Sequence, residues 1–117
     1  GLVGLVPELM PRASYVAAKH AVVGLTRQAA LEYAQEGIRV NAIAPGWFAG
    51  TDLARERLAE KAPEDFEQRE RKIVESTRMG RRGNVEDLKG LLLYLASDAS
   101  SFVTGQTFAI DGGWTAF

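Results

Sequence analysis

Tyr15 and Lys19 stand four residues apart in the run Ser14-Tyr15-Val16-Ala17-Ala18-Lys19-His20. In a helix that spacing turns the chain by about 400° and raises it by about 6 Å, so both side chains leave one face a turn apart. A positive charge fixed beside a phenol favours the ionised form. A tyrosine so placed can give and take a proton, which is the work of a general acid/base. Taken alone, the spacing is better explained by an aromatic packed beside a solvated lysine. His20 adjoins Lys19 and points about 100° away, so it reads as a packing or interface residue rather than a catalytic one. Asp111, followed by Gly112-Gly113, is a single carboxylate without partners and reads as a turn rather than a metal site.

These residues need elements to hold them. Ala13 to Glu36 has the composition of one long helix, with Ser14 or a neighbour as its cap. Gly37 sits where a left-handed C-terminal cap belongs. Small residues (Ala17, Ala18, Ala21, Gly24, Ala29, Ala30) are mixed with Val22, Leu25, Leu31 and Tyr33 around the circumference. That distribution predicts burial on more than one face: one against a sheet, another against a second helix, across a subunit interface if the protein assembles. Ile38 to Ala44 is short, β-branched and nearly continuous, and stops at Pro45-Gly46, which suits a buried parallel strand. Asp52 to Lys61 and Pro63 to Ser76 are helical in propensity and heavily charged. They read either as solvated surface helices or as a lid over a pocket at the strand end; position favours the lid.

Arg78-Met79-Gly80-Arg81-Arg82-Gly83 reads as a solvated turn rather than a phosphate patch. Asn84 then caps a helix with Asp87 three residues on, and Leu88, Leu91, Leu92 and Leu95 form its stripe down to Ser97-Asp98. Ser100 to Gly105 is a turn, and Gln106 to Asp111 a second short strand. Helix, glycine turn, strand and glycine loop in succession predict an α/β fold of the doubly wound parallel-sheet kind.

Composition sets limits on the reading. A chain of 117 residues, 46% hydrophobic and 25% charged, suits one small globular domain. With 14 Lys+Arg against 15 Asp+Glu, nothing draws it to nucleic acid or to an acidic membrane surface. No apolar run approaches a membrane span. The absence of cysteine excludes disulfides and thiolate metal sites, and a single histidine argues against a histidine-rich one. Gly1 to Met10 lacks the pattern of a signal peptide, so a cytoplasmic protein is expected. Two strands are too few for a stable parallel sheet covered on both faces.

In order along the chain, the sequence resembles the short-chain dehydrogenase/reductase family. The matching pieces are Tyr15-x-x-x-Lys19, Arg39-Val40-Asn41-Ala42-Ile43-Ala44-Pro45-Gly46, and Gly80-Arg81-x-Gly83 with Glu86-Asp87 behind it. Leu93 to Ser100, Val103-Thr104-Gly105-Gln106 and Asp111-Gly112-Gly113 complete the set. The branch it looks most like holds the sugar-acid and glucose dehydrogenases and the 3-oxoacyl-carrier-protein reductases. The resemblance implies that residues 1–117 are the C-terminal part of a single Rossmann-like domain with a helical lid insertion. The glycine-rich dinucleotide turn, the catalytic serine and the supporting asparagine of the family fall outside this chain.

The resemblance also implies an activity: an NAD- or NADP-dependent oxidoreductase interconverting a secondary alcohol and a ketone, assembled as a dimer or tetramer. Tyr15 would be the general acid/base and one of the cofactor-binding residues, and Lys19 would assist it and bond the nicotinamide ribose. Pro45, Gly46 and the backbone near Phe48 would wall the nicotinamide. Trp47 and Phe48 would shape the substrate pocket. Where the family places a threonine on the nicotinamide amide, this chain has Gly50, with Thr51 next. Either the loop bulges at Gly50 or Thr51 does not make the contact. The competing expectation is a non-catalytic fragment or assembly module that needs a complementary N-terminal segment to fold and to bind dinucleotide.

Overall fold

The computed structural model describes residues 13–49 and 63–116. Helix α1 (Ala13–Tyr33) leads to strand β1 (Ala42–Pro45), then to helices α2 (Pro63–Ser76) and α3 (Glu86–Ala96) and strand β2 (Thr107–Ile110). The expected helix over 52–61, the Gly50 bulge, Thr51 and the N-terminal loop lie outside the described residues.

The alanine-rich run forms α1 as its composition predicts, and a 3-10 turn, Ala34–Glu36, extends it. Gly37 closes it at φ 75°, a left-handed conformation that suits a residue without Cβ, and its N–H donates to the Ala34 carbonyl. Ser14 lies inside the described helix, not at its cap. Burial differs from expectation. Thr26 and Ala30 are the buried residues of α1, whereas Val22, Leu25, Leu31 and Tyr33 are exposed. The apolar circumference exists, but nothing among the described residues covers it.

The two strands pair in parallel, from Ala42 opposite Thr107 to Pro45 opposite Ile110. β1 is shorter than its β-branched run because the loop before β2 takes over the bonding of the residues ahead of Ala42. The Val40 N–H donates to Thr104 Oγ1 at 3.0 Å, Asn41 Nδ2 to the Val103 carbonyl at 2.8 Å, and the Gln106 N–H to Asn41 Oδ1 at 3.1 Å. Arg39 reinforces this join. Its guanidinium donates to Ser100 Oγ, in the 3-10 turn after α3, at 2.8 Å and to the Leu95 carbonyl in the last turn of that helix at 2.9 Å.

Helix α2 buries Ile73. Thr77 ends it, buried, with Oγ1 donating to the Ile73 carbonyl at 2.9 Å. Helix α3 has the reciprocal cap that its sequence predicts. Asn84 Oδ1 accepts from the Glu86 N–H at 3.0 Å, and Asp87 Oδ2 accepts from the Asn84 N–H at 2.8 Å. Leu88, Leu91 and Leu95 are half-buried, and Leu92 faces out. The expected solvated turn over 78–83 holds for Arg81, which is half exposed, but not for Arg82, whose side chain is only 10% exposed. Arg82 turns inward because a carboxylate from α2 meets it there.

Candidate active site

A cavity of about 170 Å³ lies beyond the carboxyl ends of both strands. Trp47 and Phe48 enter it from the segment after β1, and Ile110 and Gly112 from the end of β2. Met79 and Gly83 close it from the loop between α2 and α3. Local bonding accounts for this convergence. The Gly46 N–H donates to the Ile110 carbonyl at 2.9 Å, the last rung before the strands part. Phe48 then pairs with Gly83 in an isolated parallel bridge. The Gly83 N–H donates to the Trp47 carbonyl and the Ala49 N–H to the Gly83 carbonyl, both at 2.9 Å. The Phe48 ring lies so close to Gly83 that a Cβ there would meet it at 2.7 Å, so the backbone contact needs glycine.

Charge is paired around the rim. Arg81 forks onto Asp87 through Nη1 and Nη2 at 2.8 and 2.9 Å. That bond and the Asn84 N–H lower the Asp87 pKa to about 2, and the same pair raises Arg81 further above its ordinary range. Across the cavity, partial burial pushes the Asp111 carboxyl up. The Thr115 hydroxyl at 2.6 Å and the Thr115 and Gly113 N–H groups outweigh it, and the net shift is downward. Asp111 thus serves as the hinge of a turn, as its two glycines suggest. This turn sets the Trp114 ring edge-on to Trp47, with centroids 6.4 Å apart.

The helical spacing brings Tyr15 and Lys19 together. Lys19 Nζ stands over the Tyr15 ring, 5.3 Å from its centroid, and Tyr15 is 45% exposed. Neither lines the cavity that holds Trp47 and Phe48. His20 turns back onto its own helix, with Nδ1 donating to the Val16 carbonyl at 2.9 Å. Pro45 and Gly46 occupy the end of β1, as predicted. Sequence reasoning missed Met79, Gly83 and Asp87 as cavity residues and Trp114 as a partner of Trp47. The close approach at Gly83 left one trace, a glycine directly after two adjacent arginines.

A family model described as enoyl-(acyl carrier protein) reductase matches residues 6–115. The chain belongs to the short-chain dehydrogenase/reductase family. Among the family's curated members, the inactive 2-(S)-hydroxypropyl-CoM dehydrogenase 2 of Xanthobacter autotrophicus is 46% identical over 116 residues, covering 99% of this chain and 47% of that protein. The 2-dehydro-3-deoxy-D-gluconate 5-dehydrogenase of Bacillus subtilis is 44% identical over 101 residues, 86% of this chain and 37% of its own. A provisionally assigned 2-deoxy-D-gluconate 3-dehydrogenase of Agrobacterium tumefaciens, solved with bound NADP, superposes with a TM-score of 0.84 at 38% identity. That match covers all of this chain and 44% of the solved one. The chain therefore spans less than half the length of these relatives. Their Rossmann-like fold accounts for the short parallel sheet seen here with helices on its connections.

Proposed function

We propose that the full-length protein is an NAD- or NADP-dependent oxidoreductase that interconverts a secondary alcohol and a ketone. One observation carries this reading: an exposed phenol with an ammonium 5.3 Å from its ring centroid, on one helix face. Tyr15 takes the proton of the alcohol or returns it to the carbonyl oxygen, with the Lys19 ammonium held over its ring. A nicotinamide dinucleotide fits the residues present. Pro45 and Gly46 end a parallel strand, and nucleotides bind beyond such carboxyl ends. The relative with bound NADP supports this choice. The dinucleotide supplies the hydride chemistry when bound. Lys19 bonds its ribose, the backbone of Pro45, Gly46 and Phe48 walls its nicotinamide, and Thr51 is the candidate for its amide. Trp47 and Phe48 shape the pocket for the small-molecule substrate, and the sugar-acid dehydrogenases among the relatives favour a polar secondary alcohol.

Replacing Tyr15 by Phe in the full-length protein tests the assignment. Turnover should fall about 10²- to 10⁴-fold, the range that positioned proton transfer supplies. Dinucleotide affinity should stay within about twofold, because the phenol's proton transfer is not a binding contact. A wild-type rate would take the role from Tyr15.

A second reading is favoured by the open faces of α1 and α3, where Leu25, Leu31, Leu92 and Leu93 are all exposed. In it, residues 1–117 alone form a non-catalytic module that needs a complementary segment. The inactive relative, 46% identical over 116 residues, illustrates that likeness over this stretch does not bring activity with it. Adding a complementary N-terminal segment and assaying dinucleotide-dependent alcohol turnover separates the two readings: turnover in the reconstituted protein favours the first, and assembly without turnover favours the second.

A further inference from the structure

Arg82 and Glu70 form a tie that the proton-transfer reading leaves unused. Glu70 is on α2, and Arg82 is in the loop before α3, twelve residues on. Arg82 Nε donates to Glu70 Oε2 at 2.7 Å and Nη2 to Glu70 Oε1 at 2.5 Å, a two-pronged pair. The side chains are 10% and 20% exposed, so the pair is largely screened from water. The third nitrogen, Nη1, donates to the Phe48 carbonyl at 3.3 Å. One guanidinium therefore holds a helix through its carboxylate and the wall of the cavity through its backbone. The next residue along, Gly83, binds the same wall by two backbone bonds and lies against the Phe48 ring.

We propose that Arg82 is a positioning residue which makes helix α2 and the Trp47–Phe48 segment move as one body, so that the position of α2 sets the shape of the substrate pocket. Three features carry the proposal. Arg has a rigid planar fork, so it cannot follow a displaced carboxylate without also pulling on the Phe48 carbonyl. A largely buried pair is costly to break from one side, since both of its charge-assisted hydrogen bonds are lost in a screened site. Phe48 is tied to the same loop through its backbone as well, since the Gly83 N–H and carbonyl bond the residues on either side of it. A longer or bulkier substrate that pushes Phe48 outward thus pulls α2 with it, and the reverse also holds. The proposal rests on the reading of Trp47 and Phe48 as pocket residues, and its test has one arm that does not depend on that reading.

The first arm is hydrogen exchange on the full-length protein. Arg82→Ala should raise exchange at least about tenfold in both the 47–49 segment and Pro63–Ser76, with α1 and the two strands unchanged. Glu70→Gln, a milder change, should raise it in both segments by a smaller factor. The double variant Arg82→Ala with Glu70→Gln should be no worse than Arg82→Ala alone, because the two act through one tie. Loosening confined to one segment, or additive effects in the double variant, would overturn the coupling. The second arm is kinetic. Arg82→Ala should raise KM for the alcohol about five- to tenfold and weaken dinucleotide binding by a smaller factor, because the Phe48 backbone that it holds borders both. A fall in kcat with KM unchanged would overturn the pocket-shaping role. If no alcohol is turned over at all, the oxidoreductase reading fails, and the exchange result still decides the coupling.

Discussion

Asp111 is the residue whose chemistry the surroundings define most completely. Its two oxygens receive the Gly113 N–H, the Thr115 N–H and the Thr115 hydroxyl. Those bonds need the carboxylate, so the folded pKa lies below the unfolded one. A depressed carboxyl stabilises fully above its unfolded value, about 3.9 for Asp, and loses that contribution as pH falls through the folded value. The Gly113 and Thr115 amide resonances should therefore hold constant from neutrality down to roughly pH 5 and shift together below it. Thr115→Val should bring that shift to higher pH and lower stability by about 1 kcal/mol, the lower range for a bond to a charged group that is only partly buried. At this scale the sequence was legible where spacing is short. The Tyr15–Lys19 face, the Asn84–Asp87 cap and the Asp111 turn all follow from offsets of two to four residues. Arg82 was misjudged because its partner lies on another element, and no local pattern marks a bond that tertiary packing creates.

Element by element, the described helices and both strands stand where periodicity and punctuation put them, but β1 is trimmed. β-branched residues propose a strand; the loop side chains of Thr104 and Asn41 decide where the ladder starts. Two glycines separate conformational strain from packing. Gly80 has φ 66° and open space where a side chain would begin, while Gly112 has φ 61° and would place a Cβ 2.6 Å from Thr77 Cγ2. Gly80→Ala should cost about 1–2 kcal/mol for the left-handed backbone alone. Gly112→Ala adds an overpacking penalty of about 1–3 kcal/mol, so urea midpoints should fall further for it than for Gly80→Ala. Arg39→Met, which strips the bonds to the end of α3, should cost about 1.5–3 kcal/mol in the same measurement.

For the molecule as a whole, the balance between buried and open apolar surface is unusual. Ala30, Ala44 and Ile73 are the buried hydrophobic residues among those described, while Val22, Leu25, Leu31, Leu92 and Leu93 are exposed. Such surfaces associate. The isolated chain should sediment as concentration-dependent oligomers and enhance the emission of an apolar dye, and a complementary N-terminal segment should suppress both. Monomeric sedimentation without dye binding would contradict the open faces. Sequence reasoning reached the doubly wound class, because helix, glycine turn, strand and glycine loop follow one another at short range. It did not find the cavity, whose walls come from three segments that only folding brings together.

The chain contains only two tryptophans, and they touch: Trp114 meets Trp47 edge to face. An optical signal from either indole thus reports on the mouth of the cavity and on almost nothing else. Any small molecule that seats itself beside Trp47 must disturb this indole pair, so occupancy can be followed in the indole bands of the near-ultraviolet dichroism, at the long-wavelength side of the tyrosines, without a label and without waiting for a reaction to proceed.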